Sequence, residues 1–248
     1  FLFVDGLFET MAFIAGRIRF AELHEKRIKE GCRVLGLNTE SLSSLGKIEE
    51  IAAQVWTEKS PARIRWNVWR AGTGKYTPET DALGELVSIQ RFDPAPIVKH
   101  GAYVSRNIRV AASSWSQCKT LNALTYVMAN RERKERKADE VVLLDGDGFV
   151  SEAGSSNIFW KKGGFFFTPS LDCSCIEGVG RNVVTQYLEK TGRPVKQGRF
   201  RPAELLQADC IFTTNATGIS FLSSLDGIGF DPKPIADLVE LFGSNTTI

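Results

Sequence analysis

Two stretches of the chain carry residue types whose order suggests chemistry. The first is Cys118-Lys119-Thr120-Leu121-Asn122-Ala123-Leu124. The second is Ser151-Glu152-Ala153-Gly154-Ser155-Ser156-Asn157-Ile158-Phe159. The pattern predicts a lysine at the end of an apolar strand, opening a helix, and a glutamate opening a later turn. A primary amine condenses with an aldehyde to a Schiff base, and a carboxylate can hold a protonated pyridine nitrogen. One cofactor, pyridoxal phosphate, uses both groups. Taken singly, each residue has a commonplace reading, because a lysine near a strand end is usually solvated and a glutamate after Phe-Val-Ser usually caps or turns. Their weight comes from what accompanies them.

Three further groups could hold a phosphate. Gly178-Val179-Gly180 stands immediately before an expected helix, where free backbone N–H groups and the positive dipole end favour an anion. A glycine there is also an ordinary turn residue. Arg27 lies on the first expected helix, and a guanidinium can grip a phosphate through two parallel bonds. Alone, it reads as a surface ion-pair residue. Thr213-Thr214-Asn215 ends an apolar strand in polar side chains, which suits a ligand as well as an ordinary strand end.

Composition narrows the field. The chain has 248 residues, 31 basic and 29 acidic, with a net charge of +2. It is long enough to bury a sizeable core. The charge balance gives no reason to expect a nucleic acid or an anionic membrane as partner. The run Arg131 to Lys137 alternates in sign and reads as a solvated helix face. No apolar stretch is long enough to span a bilayer, and Asp5 and Glu9 interrupt the only apolar segment near the start. His24 and His100 are the only histidines. That argues against a Ser-His-Asp triad and a histidine-rich metal site. Five scattered cysteines, Cys173 and Cys175 forming a lone C-x-C, read as reduced thiols of a cytoplasmic protein, with no metal expected.

The elements that must position these groups follow from periodicity. Strands are expected at 8–14, 62–70, 86–91 and 108–112, the second with Ile64, Trp66 and Val68 on one face. Helices are expected at 22–35, closed by Gly36, and at 47–58. After a polar connection at 113–117 comes a second series. Its helices are expected at 121–134, 181–190, 202–206 and 234–242. Its strands are expected at 140–144, 157–161, 165–168, 195–200, 210–215 and 219–222. Helices and strands mix without strict alternation, which predicts a mixed α/β (α+β) fold in two domains, 1–112 and 118–248.

The chain resembles a known family along nearly its whole length. The matching residues are Asp5-Gly6-Leu7-Phe8-Glu9-Thr10, His24 to Arg27, Lys119-Thr120-Leu121-Asn122, Ala138 to Asp145, Ser151-Glu152 with Asn157-Ile158-Phe159, Gly178-Val179-Gly180-Arg181 and Thr213 to Ala216. In order and spacing they are similar to the fold-type IV pyridoxal-phosphate enzymes. This class IV aminotransferase family includes branched-chain and D-amino acid aminotransferases and 4-amino-4-deoxychorismate lyase. The resemblance implies the two-domain fold of the D-amino acid aminotransferase-like enzymes and pyridoxal 5′-phosphate as cofactor.

The resemblance also implies roles. Lys119 would form the Schiff base and then move a proton at the substrate α-carbon. Glu152 would pair with the pyridine nitrogen. Arg27, the amides of Val179 and Gly180, Thr214 and Asn215 would hold the phosphate, and Asn122 would reach the ring hydroxyl. Phe8 stands where some relatives carry a tyrosine at the substrate, and Arg70, Lys75 and Tyr76 would meet the substrate carboxylate. The activity expected is amino-group transfer between an amino acid and a 2-oxo acid. The Arg-x-Gly-x-Gly-x-Tyr pattern at 70–76, Phe159 to Gly163 and Thr168-Pro169 resemble the lyase branch instead. That branch releases pyruvate and 4-aminobenzoate from aminodeoxychorismate. A non-catalytic binding protein of the same fold is a third reading, opposed by Lys119 and Glu152. Relatives are dimers, so a homodimer is expected. Family members carry further residues before Asp-Gly-Leu-Phe-Glu, so either the start is trimmed or residues 1–4 are a first strand whose following loop is missing, and an abnormal link is expected at Val4-Asp5.

Overall fold

A computed structural model describes residues 4–58, 60–72 and 76–243. Contacts divide the chain into two units. One comprises residues 4–93 with Cys118–Asn122, the other Pro94–Gln117 with 123–243.

The first unit is one antiparallel sheet with two helices. Its elements are β1 (Gly6–Ile14), β2 (Arg17–Ile18), α1 (Ala21–Leu35), α2 (Leu45–Val55), β3 (Ala62–Arg70) and β4 (Leu83–Arg91). The strand order is β2-β1-β3-β4. Ala15 and Gly16, both at positive φ, make the two-residue turn between β1 and β2, the conformation that matches strand twist. In register Leu7 faces Val68, Glu9 faces Trp66 and Met11 faces Ile64. These pairs make one face of the sheet, and its apolar members form a core with Ile28, Cys32, Ile48 and Ala52 from the helices. Phe8, Thr10, Arg65 and Asn67 alternate onto the opposite face. Gly36 at φ 64° ends α1, and Leu37 N–H returns to Cys32 C=O, as a left-handed cap requires.

The second unit holds two sheets and four helices. It contains β5 (Val98–Lys99), β6 (Ala102–Val110), α3 (Leu124–Glu135), β7 (Glu140–Asp145), β8 (Val150–Ala153), β9 (Asn157–Lys162), β10 (Phe165–Pro169) and α4 (Val179–Lys190). There follow β11 (Val195–Gly198), α5 (Pro202–Leu205), β12 (Cys210–Asn215), β13 (Gly218–Leu222), β14 (Ser224–Leu225), β15 (Ile228–Gly229) and α6 (Ala236–Gly243). One sheet runs β11-β10-β9-β12-β13-β5, the other β15-β14-β6-β7-β8. Parallel and antiparallel pairs mix, and β7 and β8 are buried throughout, with Glu140, Asp145, Ser151 and Glu152 as their buried polar side chains. Val142, Leu144, Ile158, Trp160, Ile211 and Leu222 belong to one core cluster.

The result is the mixed α/β fold expected, with differences of detail. A strand begins at Ala102 rather than residue 108, and β5 precedes it. β5 pairs with β13 and β6 with β7, which carries 94–117 into the second unit. The 113–117 connection therefore lies inside that unit, and it is 118–122 that joins the first. α3 starts at Leu124, three residues later than the periodicity suggested. Of the expected strand at 1–4, residues 1–3 lie outside the described residues, and Val4 is not in a strand. Among the described residues no helix is long and apolar enough to cross a membrane.

Candidate active site

In the first unit, Lys119 sits on a short extended segment laid along β1. It neither ends a strand nor opens a helix. Phe8 N–H donates to Lys119 C=O at 2.9 Å and Leu121 N–H to Gly6 C=O at 2.8 Å. Leu7 and Thr120 form an antiparallel bridge. Glycine at position 6 permits this approach, since a Cβ there would strike Val68 O and come within 2.9 Å of Leu121 Cδ1. The Lys119 Nζ lies 4.5 Å from the Phe8 ring centroid. The Arg65 guanidinium lies 3.9 Å from the same centroid. An aromatic face attracts cations through its quadrupole, so Phe8 gathers the amine and Arg65 on the sheet face away from the core. Arg65 escaped the sequence reading. Its signal is a cation directly across the β1–β3 ladder from Thr10, next to Phe8.

Arg27 is also held, but by a carboxylate. Its Nε donates to Glu9 Oε1 at 2.8 Å and its Nη2 to Oε2 at 2.5 Å. His24 Nδ1 meets Oε2 at 2.6 Å. The two-bond grip expected on a phosphate is thus made on Glu9 at this edge of the guanidinium. Glu9 is 1 % exposed. Burial alone would raise its pKa, but the charges of Arg27 and His24 and their hydrogen bonds outweigh it and pull the carboxyl down to about 2. Burial pushes the His24 imidazole the other way, toward neutrality, against the pull of Glu9. A neutral His24 therefore donates from Nδ1 to an ionised Glu9. An acidic residue at an inward position of β1, between Leu7 and Met11, is the sequence signal for this cluster.

The expected substrate contacts fare unevenly. Arg70 Nε donates to Asp5 at 2.7 Å and Nη2 to Leu35 C=O at 2.5 Å. Its Nη1 reaches Gly36 C=O and Asp81. These bonds tie the end of α1 to β3, so Arg70 holds the fold where a substrate contact was anticipated. Tyr76 is 90 % exposed. Lys75 lies outside the described residues. Asn122 is exposed.

In the second unit, Glu152 lies inside β8, opposite Leu143 of β7, and does not open a turn. It is 3 % exposed. Tyr126 Oη donates to its Oε1 at 2.5 Å, and Ile176 N–H to the same oxygen at 3.3 Å. Burial first, and then the charge of Glu152, push the Tyr126 phenol well up, so the phenol keeps its proton and remains a donor.

A candidate anion cradle lies at the start of α4. The first intrahelical bond is Asn182 N–H to Gly178 C=O, so the N–H groups of Val179, Gly180 and Arg181 face out of the helix end. A Cβ on Gly180 would come within 3.2 Å of Thr214 Oγ1 and 3.3 Å of Asn215 O. Thr214 is 1 % exposed, and its Oγ1 has no hydrogen-bond partner among the described residues. A buried hydroxyl without a partner costs free energy unless a ligand supplies one. Asn215 shapes the rim, donating to Ser156 Oγ at 3.0 Å and accepting from Thr217 N–H at 2.8 Å. Asn157, named in the sequence motif but given no role there, donates to Ile176 C=O at 2.8 Å. It packs where a Cβ on Gly178 would be. Bare amides, an orphaned hydroxyl and a glycine at closest approach fit the phosphate of pyridoxal phosphate.

Comparison with known proteins places the chain in a family. The Amino-transferase class IV family model matches residues 6–225. An aminodeoxychorismate lyase of Bacillus subtilis is 28 % identical over 87 % of this chain and 75 % of its own length. A probable branched-chain-amino-acid aminotransferase of Rickettsia bellii is 26 % identical over 95 % of this chain and 84 % of its own. Among solved structures, a hypothetical aminotransferase from Mycobacterium tuberculosis in its PLP-bound form is similar in fold. Its TM-score is 0.85 at 21 % identity, covering 98 % of this chain and 89 % of that one.

Proposed function

Because the chain belongs to the amino-transferase class IV family, whose members depend on pyridoxal 5′-phosphate, we propose that it transfers an amino group between an amino acid and a 2-oxo acid. The observation that carries this reading is the seat of Lys119, pinned by two backbone bonds to β1 with its amine against Phe8. When bound, the cofactor supplies an aldehyde to hold the amino substrate and a pyridine ring to spread the charge of a deprotonated α-carbon.

The chain's own residues do the rest. With the cofactor bound, Lys119 would hold its aldehyde carbon and would serve as the base that moves the proton at the substrate α-carbon. A lysine amine can act so where partial burial and a neighbouring cation disfavour its charge. Glu152 would hold a proton on the pyridine nitrogen. The amides of Val179 and Gly180, the Thr214 hydroxyl and Asn215 would bind the phosphate. Arg65, on the same ring as Lys119, is placed to meet an acidic group of the substrate.

A second reading, aminodeoxychorismate lyase, is favoured by the Bacillus subtilis relative. Both use the same lysine and glutamate, and they part on whether the substrate carries a group that leaves. A visible spectrum of the holoenzyme separates them. Bleaching by an amino acid, with recovery on adding a 2-oxo acid, supports amino transfer. Release of pyruvate and 4-aminobenzoate from aminodeoxychorismate, with the band retained, supports the lyase. No band after adding pyridoxal phosphate would sink both.

A further inference from the structure

We infer that Tyr126 is a positioning residue that fixes the carboxylate of Glu152 for its task at the cofactor's ring nitrogen. The inference rests on the role proposed for Glu152 and adds to it the group that makes the role possible. A glutamate side chain has three rotatable bonds, and strand pairing at Leu143 fixes only its backbone. Its orientation must come from donors. Tyr126 Oη supplies the shorter of the two described, at 2.5 Å to Oε1, against 3.3 Å from Ile176 N–H. An ionised carboxylate only accepts, so the phenol is the donor.

Tyr126 is itself held in register with Glu152. Asn130, one helical turn further along α3, donates from Nδ2 to Tyr126 C=O at 2.9 Å and to Gly154 C=O at 2.8 Å. One amide therefore ties the first turn of α3 to the residue two positions beyond Glu152. The amide's orientation follows from its other side, where Arg133 Nε donates to Asn130 Oδ1 at 3.1 Å. Arg133 is anchored in turn on Ala138 C=O at 3.1 Å. Gly154 fits beneath because a Cβ there would come within 2.7 Å of Val141 Cγ1 and 3.3 Å of Asn130. The chain Arg133–Asn130–Tyr126–Glu152 is directional at every link, and its terminus is the proposed partner of the pyridine nitrogen. A tyrosine present only to fill space would need neither its hydroxyl on that carboxylate nor a clamp on its own backbone.

Losing the phenol proton should let Glu152 swing and should make its carboxylate more basic. Both effects draw the shared proton away from the ring nitrogen. The test uses holoenzyme reconstituted with pyridoxal phosphate labelled with ¹⁵N in the ring, as wild type, Tyr126→Phe and Glu152→Gln. Circular dichroism checks that each variant is folded. The ring ¹⁵N resonance of Tyr126→Phe is expected to lie between wild type and Glu152→Gln. Its kcat is expected to fall roughly 10- to 100-fold, as for loss of a hydrogen bond to a charged group, with KM little changed. A Tyr126→Phe resonance at the wild-type position overturns the inference, even if turnover falls, while a displaced Glu152→Gln resonance leaves the role of Glu152 standing. A Glu152→Gln resonance identical to wild type overturns both.

Discussion

Glu9 should be among the most costly polar residues to replace, because two basic side chains of α1 converge on its buried carboxylate. Glu9→Gln keeps the shape but places an amide where a charge was, removing the carboxylate that the Arg27 guanidinium, 13 % exposed, grips with two nitrogens. Two routes give the size of the loss. The carboxyl is held at about 2 against an ordinary 4.5, a gap of about 2.5 pH units, worth about 3 kcal/mol at roughly 1.4 kcal/mol per unit. Breaking a buried ion pair by removing one partner costs about 3–5 kcal/mol. Urea unfolding of the apo-protein at pH 7, followed by far-UV circular dichroism, should therefore show Glu9→Gln less stable by about 3 kcal/mol. A loss below about 1 kcal/mol would mean the cluster behaves as a solvated surface pair and would refute the reasoning.

The sign of the pH dependence follows from the same groups. A carboxylate with a depressed pKa contributes fully above the unfolded value, and its contribution fades as pH falls from about 4.5 toward 2. His24 is held neutral by burial, so the unfolded chain takes up its proton first and wild-type stability begins to fall below pH 6.5. Acid unfolding of the wild type should start with His24 and steepen as Glu9 follows.

Lys119→Ala should abolish the visible cofactor band and lower turnover by roughly 10²–10⁴-fold, and full turnover in that variant would end the proposed mechanism. Gly180→Ala places a methyl 3.2 Å from Thr214 Oγ1, so the Kd for pyridoxal phosphate, measured by fluorescence titration, should rise about tenfold, a cost of about 1.4 kcal/mol. Apo-protein stability should change little, and an unaltered Kd would remove the phosphate from this cradle. Light scattering of the holoenzyme should give a mass of twice the chain, and a monomer would count against the homodimer.

Much of the fold was legible because burial writes a period into the sequence. Ala62 to Arg70 alternates, and the structure has β3 over those residues with Ile64, Trp66 and Val68 in the core. The glycine that closes α1 stands where the left-handed cap needs it. What stayed hidden has little local signature. β5 is two residues long and exists only through its pairing with β13, which no window of sequence encodes. The 118–122 segment is extended because β1 offers it bonds, so its apolar and polar residues follow no period of their own. Glu152 was legible as a residue but misplaced in a turn, since its strand is four residues long and takes its burial from β7.

The site was legible in the same uneven way. The backbone cradle at the start of α4 could be found from glycine, because a glycine before a helix reports a close approach directly. Residues that act through side chains could not be sorted from those that hold the fold. Arg27 and Arg70 look alike in sequence, yet each is committed to carboxylates of its own chain, Glu9 for one and Asp5 and Asp81 for the other. Arg65, which the sequence did not single out, is the guanidinium that shares a ring with Lys119. The difference lies in which face of β1 each one meets. Inward positions of that strand bring Glu9 to Arg27 within the core side, and outward positions bring Phe8 to Arg65 and Lys119. A one-residue slip of β1 would exchange these faces. The register fixed by Leu7 against Val68 and Met11 against Ile64 is therefore what keeps the ion-pair cluster in the fold and the lysine on the face where chemistry can occur.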